Sequence, residues 1–121
     1  MILGVGVDIE DVKNFEDKDS RFLDRIFSPQ ERAYCDKHHT PALHYAVRFC
    51  AKEALIKASA SFATLVISDS EVFFEDGLPV PQMKIKNPQK AESFKDKKIF
   101  LSLSHTQTYA TAMVVIEGEK A

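Results

Sequence analysis

An α+β fold follows from three observations on this sequence. A short β-type stretch opens the chain, helical periodicities fill its middle, and strict apolar–polar alternation returns in its last third. The resulting order is strand, helices, several strands, a short helix and two final strands, with no internal repeat, low-complexity tract or linker. The chain has 121 residues, enough to bury one modest core, so a single compact domain over 1–121 is expected.

Ile2, Val5 and Val7, with Gly4 and Gly6 between them, predict a short strand whose glycines admit a close neighbour; Asp8 then stands at its end. An aspartate there serves either as a metal-binding carboxylate or as a turn or helix cap. Asp19 to Phe27 predicts a short helix with Phe22, Leu23 and Ile26 on its apolar side. Arg21 and Arg25 project together from the other side, as a solvated face or a basic docking patch. Ser28-Pro29-Gln30-Glu31 combines an N-cap serine, proline at N1 and glutamate at N3, and predicts a helix to about Lys37.

Thr40-Pro41 opens a long central helix expected to end near Ser61. Leu43, Ala46, Val47, Cys50, Ala54 and Ala58 form its apolar stripe, and the small residues allow another element to approach closely. Glu53 and Lys57, four apart, border that stripe near Phe49. They are either an ordinary surface pair or a pair desolvated by that approach. Strands are expected at Leu65-Val66-Ile67, at Val72-Phe73-Phe74 and from Val80 to Ile85, the latter two joined by a turn at Asp76-Gly77. Asn87-Pro88 caps a short helix carrying Ala91 and Phe94. Ile99, Leu101 and Leu103 alternate with Phe100, Ser102 and Ser104, and Tyr109 to Ile116 forms the last run. Ser104-His105-Thr106 falls at the expected hairpin turn between them, where a lone histidine is usually just a polar turn residue.

The net charge of −2 gives no footprint for nucleic acid. No apolar run approaches the roughly 20 residues of a membrane span. Cys35 and Cys50 are far apart without a secretory signal and read as free thiols of a reducing cytoplasm, Cys50 as core. Two cysteines and four histidines form no ligand pair with zinc-site spacing, and His38-His39 reads as a polar helix end.

Three segments taken together carry a family resemblance: Gly6-Val7-Asp8, the helix from Arg48-Phe49 through Lys52-Glu53-Ala54 to Lys57, and Ser102-Leu103-Ser104-His105-Thr106. With Gly77-x-Pro79 and Tyr109-Ala110, they occur in order and at family-like spacing over nearly the whole chain. The sequence resembles the phosphopantetheinyl transferase superfamily, in its short bacterial holo-[acyl-carrier-protein] synthase type. The resemblance implies that family's fold, a long central helix packed on an antiparallel sheet. It implies transfer of 4′-phosphopantetheine from coenzyme A to a carrier-protein serine, with release of adenosine 3′,5′-bisphosphate.

Cleaving a pyrophosphate needs a divalent cation, and Mg²⁺ prefers carboxylate and water ligands. Asp8 and Glu53 would supply the carboxylates, and Lys57, one turn further on, would neutralise phosphate charge. The resemblance places Arg48, His105 and Thr106 around the coenzyme A phosphates and gives His105 an alternative role in taking the serine proton. It further implies a homotrimer with active sites between subunits. Asn14 stands where the family has a carrier-gripping arginine, which leaves docking of an acidic carrier to Lys13, Arg21 and Arg25. The segment Ser59-Ala60-Ser61-Phe62 replaces a glycine-rich turn that lets backbone approach the coenzyme. These departures leave a second expectation, a family scaffold that binds carrier or nucleotide without turnover.

Overall fold

The glycine-bearing N-terminal segment and the central helix organise the molecule. The computed structural model describes residues 1–119. Strand β1 (Ile2–Asp11) is followed by a 3₁₀ turn over Val12–Phe15, then helices α1 (Ser20–Ile26), α2 (Pro29–Asp36) and α3 (Pro41–Ser59). After a 3₁₀ turn at Ile67–Asp69 come β2 (Ser70–Phe74), β3 (Pro81–Ile85), the short α4 (Pro88–Ala91) with a 3₁₀ extension, β4 (Lys98–His105) and β5 (Tyr109–Glu117). A three-stranded antiparallel sheet has the order β1-β5-β4, and β2 and β3 form a separate two-stranded sheet. This is the α+β architecture expected, with the long helix lying on the larger sheet.

Several boundaries depart from the sequence reading. β1 does not stop before Asp8; it continues to Asp11, with Asp8 opposite Ala112 and Glu10 opposite Ala110. Asp8 is therefore a mid-strand residue and caps nothing. No strand forms at Leu65-Val66-Ile67, because the Asp69 carboxylate accepts the Val66 N–H at 2.8 Å and winds the segment into a 3₁₀ turn. His105 is the last residue of β4, and the turn itself is closed by Thr106, whose Oγ1 accepts the N–H groups of Thr108 and Tyr109 at 3.1 and 2.9 Å. β3 starts at Pro81, one residue later than expected.

α2 begins as its sequence predicts: Ser28 Oγ accepts the Glu31 N–H and Glu31 accepts the Ser28 N–H, at 3.1 and 2.9 Å. α3 stops at Ser59, two residues early, where the Ser59 hydroxyl donates back to the Leu55 carbonyl at 2.8 Å. No residue of the glycine-free segment that follows needs a positive φ. Apart from the half-buried Leu43, the α3 stripe is buried, Cys50 included, but so are Tyr45, Arg48, Ala51, Lys52, Leu55 and Ser59. The helix is enclosed on most sides because α2 and β2 cover the flank away from the larger sheet.

On that flank Lys52 and Glu31 form a fully buried ion pair at 3.0 Å. Lys52 Nζ also donates to the Ser70 carbonyl, and Glu31 Oε2 accepts the Val72 N–H at 2.8 Å. Burial pulls the Lys52 ammonium below its ordinary range, while the Glu31 and Glu71 carboxylates oppose that shift. On the sheet side β5 contributes Ala110, Ala112, Val114 and Ile116 to the core. Both cysteines are free and buried. Among the described residues, no helix is long and apolar enough to cross a membrane.

Candidate active site

Two periodicities bring the candidate carboxylates together. Along β1 residues alternate between faces, so Gly4, Gly6, Asp8 and Glu10 share the face turned to α3 while Val5, Val7 and Ile9 point outward. The glycines then allow near contact of strand and helix backbones: a Cβ on Gly6 would stand 1.9 Å from the Ala54 carbonyl oxygen, and one on Gly4 1.7 Å from that of Ala58. At this spacing Lys57 reaches across, donating to the Val7 carbonyl at 3.0 Å and standing 3.5 Å from Asp8 Oδ1.

Asp8 Oδ2 is buried and has no hydrogen-bond partner, an arrangement that leaves a carboxylate oxygen free for a ligand. Glu10 belongs to the same group. Burial first, then its contact with Asp8 and the charge of Glu53, push its carboxyl up to about 7 against the opposing pull of Lys57. Lys57 pairs with Asp8 and acts on Glu10 as well, so the region is short of positive charge. A bound cation would relieve both the unpaired oxygen and the crowding. Among the described residues no three His, Cys, Asp or Glu side chains already converge as a metal cage, so such an ion would draw further ligands from water or substrate.

The basic residues form a second group. Arg48 is buried, with its guanidinium 4.1 Å from the centre of the Tyr34 ring, one N–H donated to the His44 carbonyl at 3.4 Å, and Nε without a partner. His44 stacks on His38 at 4.0 Å between ring centres. Burial, followed by the charges of His38, Arg48 and His105, pushes its imidazole down to about 4. His105 and Thr106 are exposed at the end of β4. Among the described residues, no hydrogen bond or ion pair connects Arg48 or His105 with Asp8 or Glu53. The structure thus pairs Lys57 with Asp8 and sets Glu10 within the field of Asp8, Glu53 and Lys57, while Arg48 and His105 both act on His44. His105 lies opposite Ala110, the β5 residue that Glu10 faces from the other side.

Lys13, Arg21 and Arg25 are exposed, the last two on the outer side of α1. The opposite side of α1 supplies Leu23 to a cavity of about 610 Å³ that is also lined by Val12, Phe15, Leu43 and Tyr45. None of the carboxylate group lines it. Glu10 was missed by the sequence reading although Asp8-Ile9-Glu10 has the strand period of two. His44 was missed as well, and only its spacing of four from Arg48 on a helix signals it.

Comparison with known proteins fixes the family. A sequence model of the 4′-phosphopantetheinyl transferase superfamily matches residues 4–114. The chain belongs to that superfamily. A holo-[acyl-carrier-protein] synthase of Clostridium tetani is 39% identical over 124 residues, covering 98% of each chain. Among solved structures, the acyl carrier protein synthase of Mycobacterium tuberculosis superposes with a TM-score of 0.77 at 30% identity, over 98% of this chain and 100% of that one. The Bacillus anthracis holo-(acyl-carrier-protein) synthase in complex with CoA (3′,5′-ADP) gives 0.78 at 29% identity, over 98% and 99%. These two structures and this transferase chain share a fold along almost their whole lengths.

Proposed function

We infer that this chain is a holo-[acyl-carrier-protein] synthase. It transfers the 4′-phosphopantetheine group of coenzyme A to a carrier-protein serine and releases adenosine 3′,5′-bisphosphate. The serine oxygen forms a bond to the phosphorus bearing the pantetheine, the bond from that phosphorus to the bridging pyrophosphate oxygen breaks, and the serine proton leaves. The observation that carries this reading is the Asp8–Lys57 pair beside Glu10, which feels the charge of Glu53, with a buried Asp8 oxygen left unpaired.

Mg²⁺ suits this donor set of carboxylates completed by water and phosphate oxygens, and when bound it supplies charge neutralisation across the pyrophosphate. Asp8 and Glu53 would hold it, with Glu10 beside them. Lys57 is mobile enough, with its side chain 54% exposed, to leave Asp8 for a phosphate oxygen. Arg48, His105 and Thr106 are assigned to the coenzyme phosphates, and Lys13, Arg21 and Arg25 to the acidic carrier. His105 is also the candidate to take the serine proton. The 1–121 chain carries all of these parts as one domain.

A homotrimer with sites between subunits is supported by two features. Among the described residues, no hydrogen bond or ion pair joins Arg48 or His105 to Asp8 or Glu53. The outer face of the larger sheet is apolar and exposed: Val5, Val7, Ile9, Phe100 and Met113 are 46–65% accessible, with Val7 paired to Met113 and Phe100 to Val115. The buried free thiols Cys35 and Cys50 suit a reducing cytoplasm.

Incubation with coenzyme A, Mg²⁺ and a panel of apo carrier proteins, followed by mass spectrometry of each carrier, tests the assignment. The expected result is a gain of one phosphopantetheine on at least one carrier, dependent on Mg²⁺. Absence of any gain across the panel overturns it.

A further inference from the structure

We propose that the buried Glu31–Lys52 pair is a positioning device that sets the axial register of α3, and through it the spacing of Glu53 and Lys57 from Asp8. The inference rests on the metal-site reading above. Its starting point is the contact that forms the site. Where α3 meets β1, the touching surfaces are Gly4 and Gly6 on one side and the backbone of Ala54 and Ala58 on the other. Such a contact allows close approach of smooth backbone surfaces, and apolar packing of α3 on Ala110, Ala112, Val114 and Ile116 of β5 holds the helix to the sheet without directional bonds. The directional links on the sheet side are modest. The Cys50 thiol donates to the Ala110 carbonyl of β5 at 3.3 Å, and thiols are weak donors; Lys57 reaches Val7 of β1 from a half-exposed position.

The keyed contact lies on the other flank. Lys52 Nζ is held by Glu31 Oε1 at 3.0 Å and by the Ser70 carbonyl. Glu31 is itself fixed by the Ser28 and Val72 N–H groups at 2.9 and 2.8 Å. A single pair therefore ties α3 to the start of α2 and to β2 through directional bonds. Lys52 is the chain neighbour of Glu53, so a shift of its backbone is a shift of the carboxylate. Buried ion pairs often contribute little net stability relative to well-packed apolar substitutes, and in some proteins they fix which arrangement is adopted.

The test separates register from stability with Glu31→Gln/Lys52→Met, which removes both charges and keeps side-chain volume. Mn²⁺ binding to the full-length protein in the presence of coenzyme A is read by loss of the free-ion electron spin resonance signal, well below the melting temperature of each variant. The double variant is expected to melt below wild type, because Gln offers one acceptor oxygen to the Ser28 and Val72 N–H groups and the Ser70 carbonyl loses its donor. At temperatures where it is folded it is expected to bind Mn²⁺ about tenfold more weakly or worse, the loss typical of removing supports behind a metal ligand. Wild-type Mn²⁺ affinity in the folded double variant overturns the proposal. If the double variant does not fold, Glu31→Gln alone decides it: weakened Mn²⁺ binding supports the pair's positioning role, and unchanged binding with a lowered melting temperature overturns it. Failure of wild type itself to bind Mn²⁺ overturns the metal reading together with this inference, a result distinct from a variant that matches a binding wild type.

Discussion

Gly6 and Ala54 touch backbone to backbone: a Cβ on the glycine would lie 1.9 Å from the Ala54 carbonyl oxygen. No rotamer relieves that overlap, because the obstructing atom belongs to a helix backbone. Gly6→Ala must push β1 away from α3 and separate Asp8 from Glu53. A loss of about 3 kcal/mol or more is expected, at the upper end of overpacking effects. Thermal unfolding of the variant measures it, and the transfer assay should fall with it.

The carboxylates behave differently because they face a polar, partly open site. Asp8→Asn and Glu53→Gln are expected to fold like wild type by circular dichroism and melt within a few degrees of it. Carrier modification should nevertheless drop by about a hundredfold or more, since each removes a charge from the proposed cation site. Full activity of either variant at limiting Mg²⁺ would remove that residue from the site.

Carrier docking is predicted to be local and electrostatic, because the chain carries a net charge of −2. Arg21 is exposed on α1. Arg21→Glu should raise the KM for an acidic carrier several-fold, the scale of exposed pairs worth about 0.2–1 kcal/mol each, and less so at high salt. The KM for coenzyme A should stay constant. Steady-state kinetics at two ionic strengths checks both.

Stability should respond to pH through His44, whose folded imidazole is pushed down to about 4 from the ordinary 6.5 by burial and by His38, Arg48 and His105. Between those values the unfolded chain binds a proton that the folded chain refuses, so stability rises with pH across the window. His44's contribution is complete above pH 6.5 and is lost as pH falls towards 4. His44→Phe, which cannot titrate, should show a shallower fall in melting temperature from pH 6.5 to 4 than wild type does.

Asp8, Glu53 and Lys57 were legible in the sequence because each sits in a local pattern, a glycine-spaced strand or a helical i,i+4 pair. The extent of β1 was not, since Asp8, Glu10 and Asp11 look like turn residues until β5 supplies their ladder partners. Lys52 was illegible for a related reason. Beside Glu53 it reads as another solvated charge, and only Glu31 on a different helix makes its burial possible. Val5 and Val7 read as residues of a strand, and they face outward, because the glycines between them take the helix side. Periodicity identifies the two faces of a strand without saying which of them another element will cover. Leu65-Val66-Ile67 failed as a strand because one side-chain bond from Asp69 outweighed the apolar run's strand propensity.

Among the described residues β1 pairs only with β5, the central strand of its sheet and the last strand in sequence. During synthesis, therefore, the first strand emerges long before its hydrogen-bonding partner exists. The helices can form locally as they appear, but the edge of β1 and its row of valines stay uncovered until residues beyond Tyr109 leave the ribosome. Such a topology places a long loop-closure step late in folding and makes it slow relative to the helical segments. A chain cut short before Tyr109 would lack β5 altogether and leave an unpaired, valine-rich edge open to aggregation. The N-terminal carboxylates thus gain their ladder partners only when the C-terminal strand has been made.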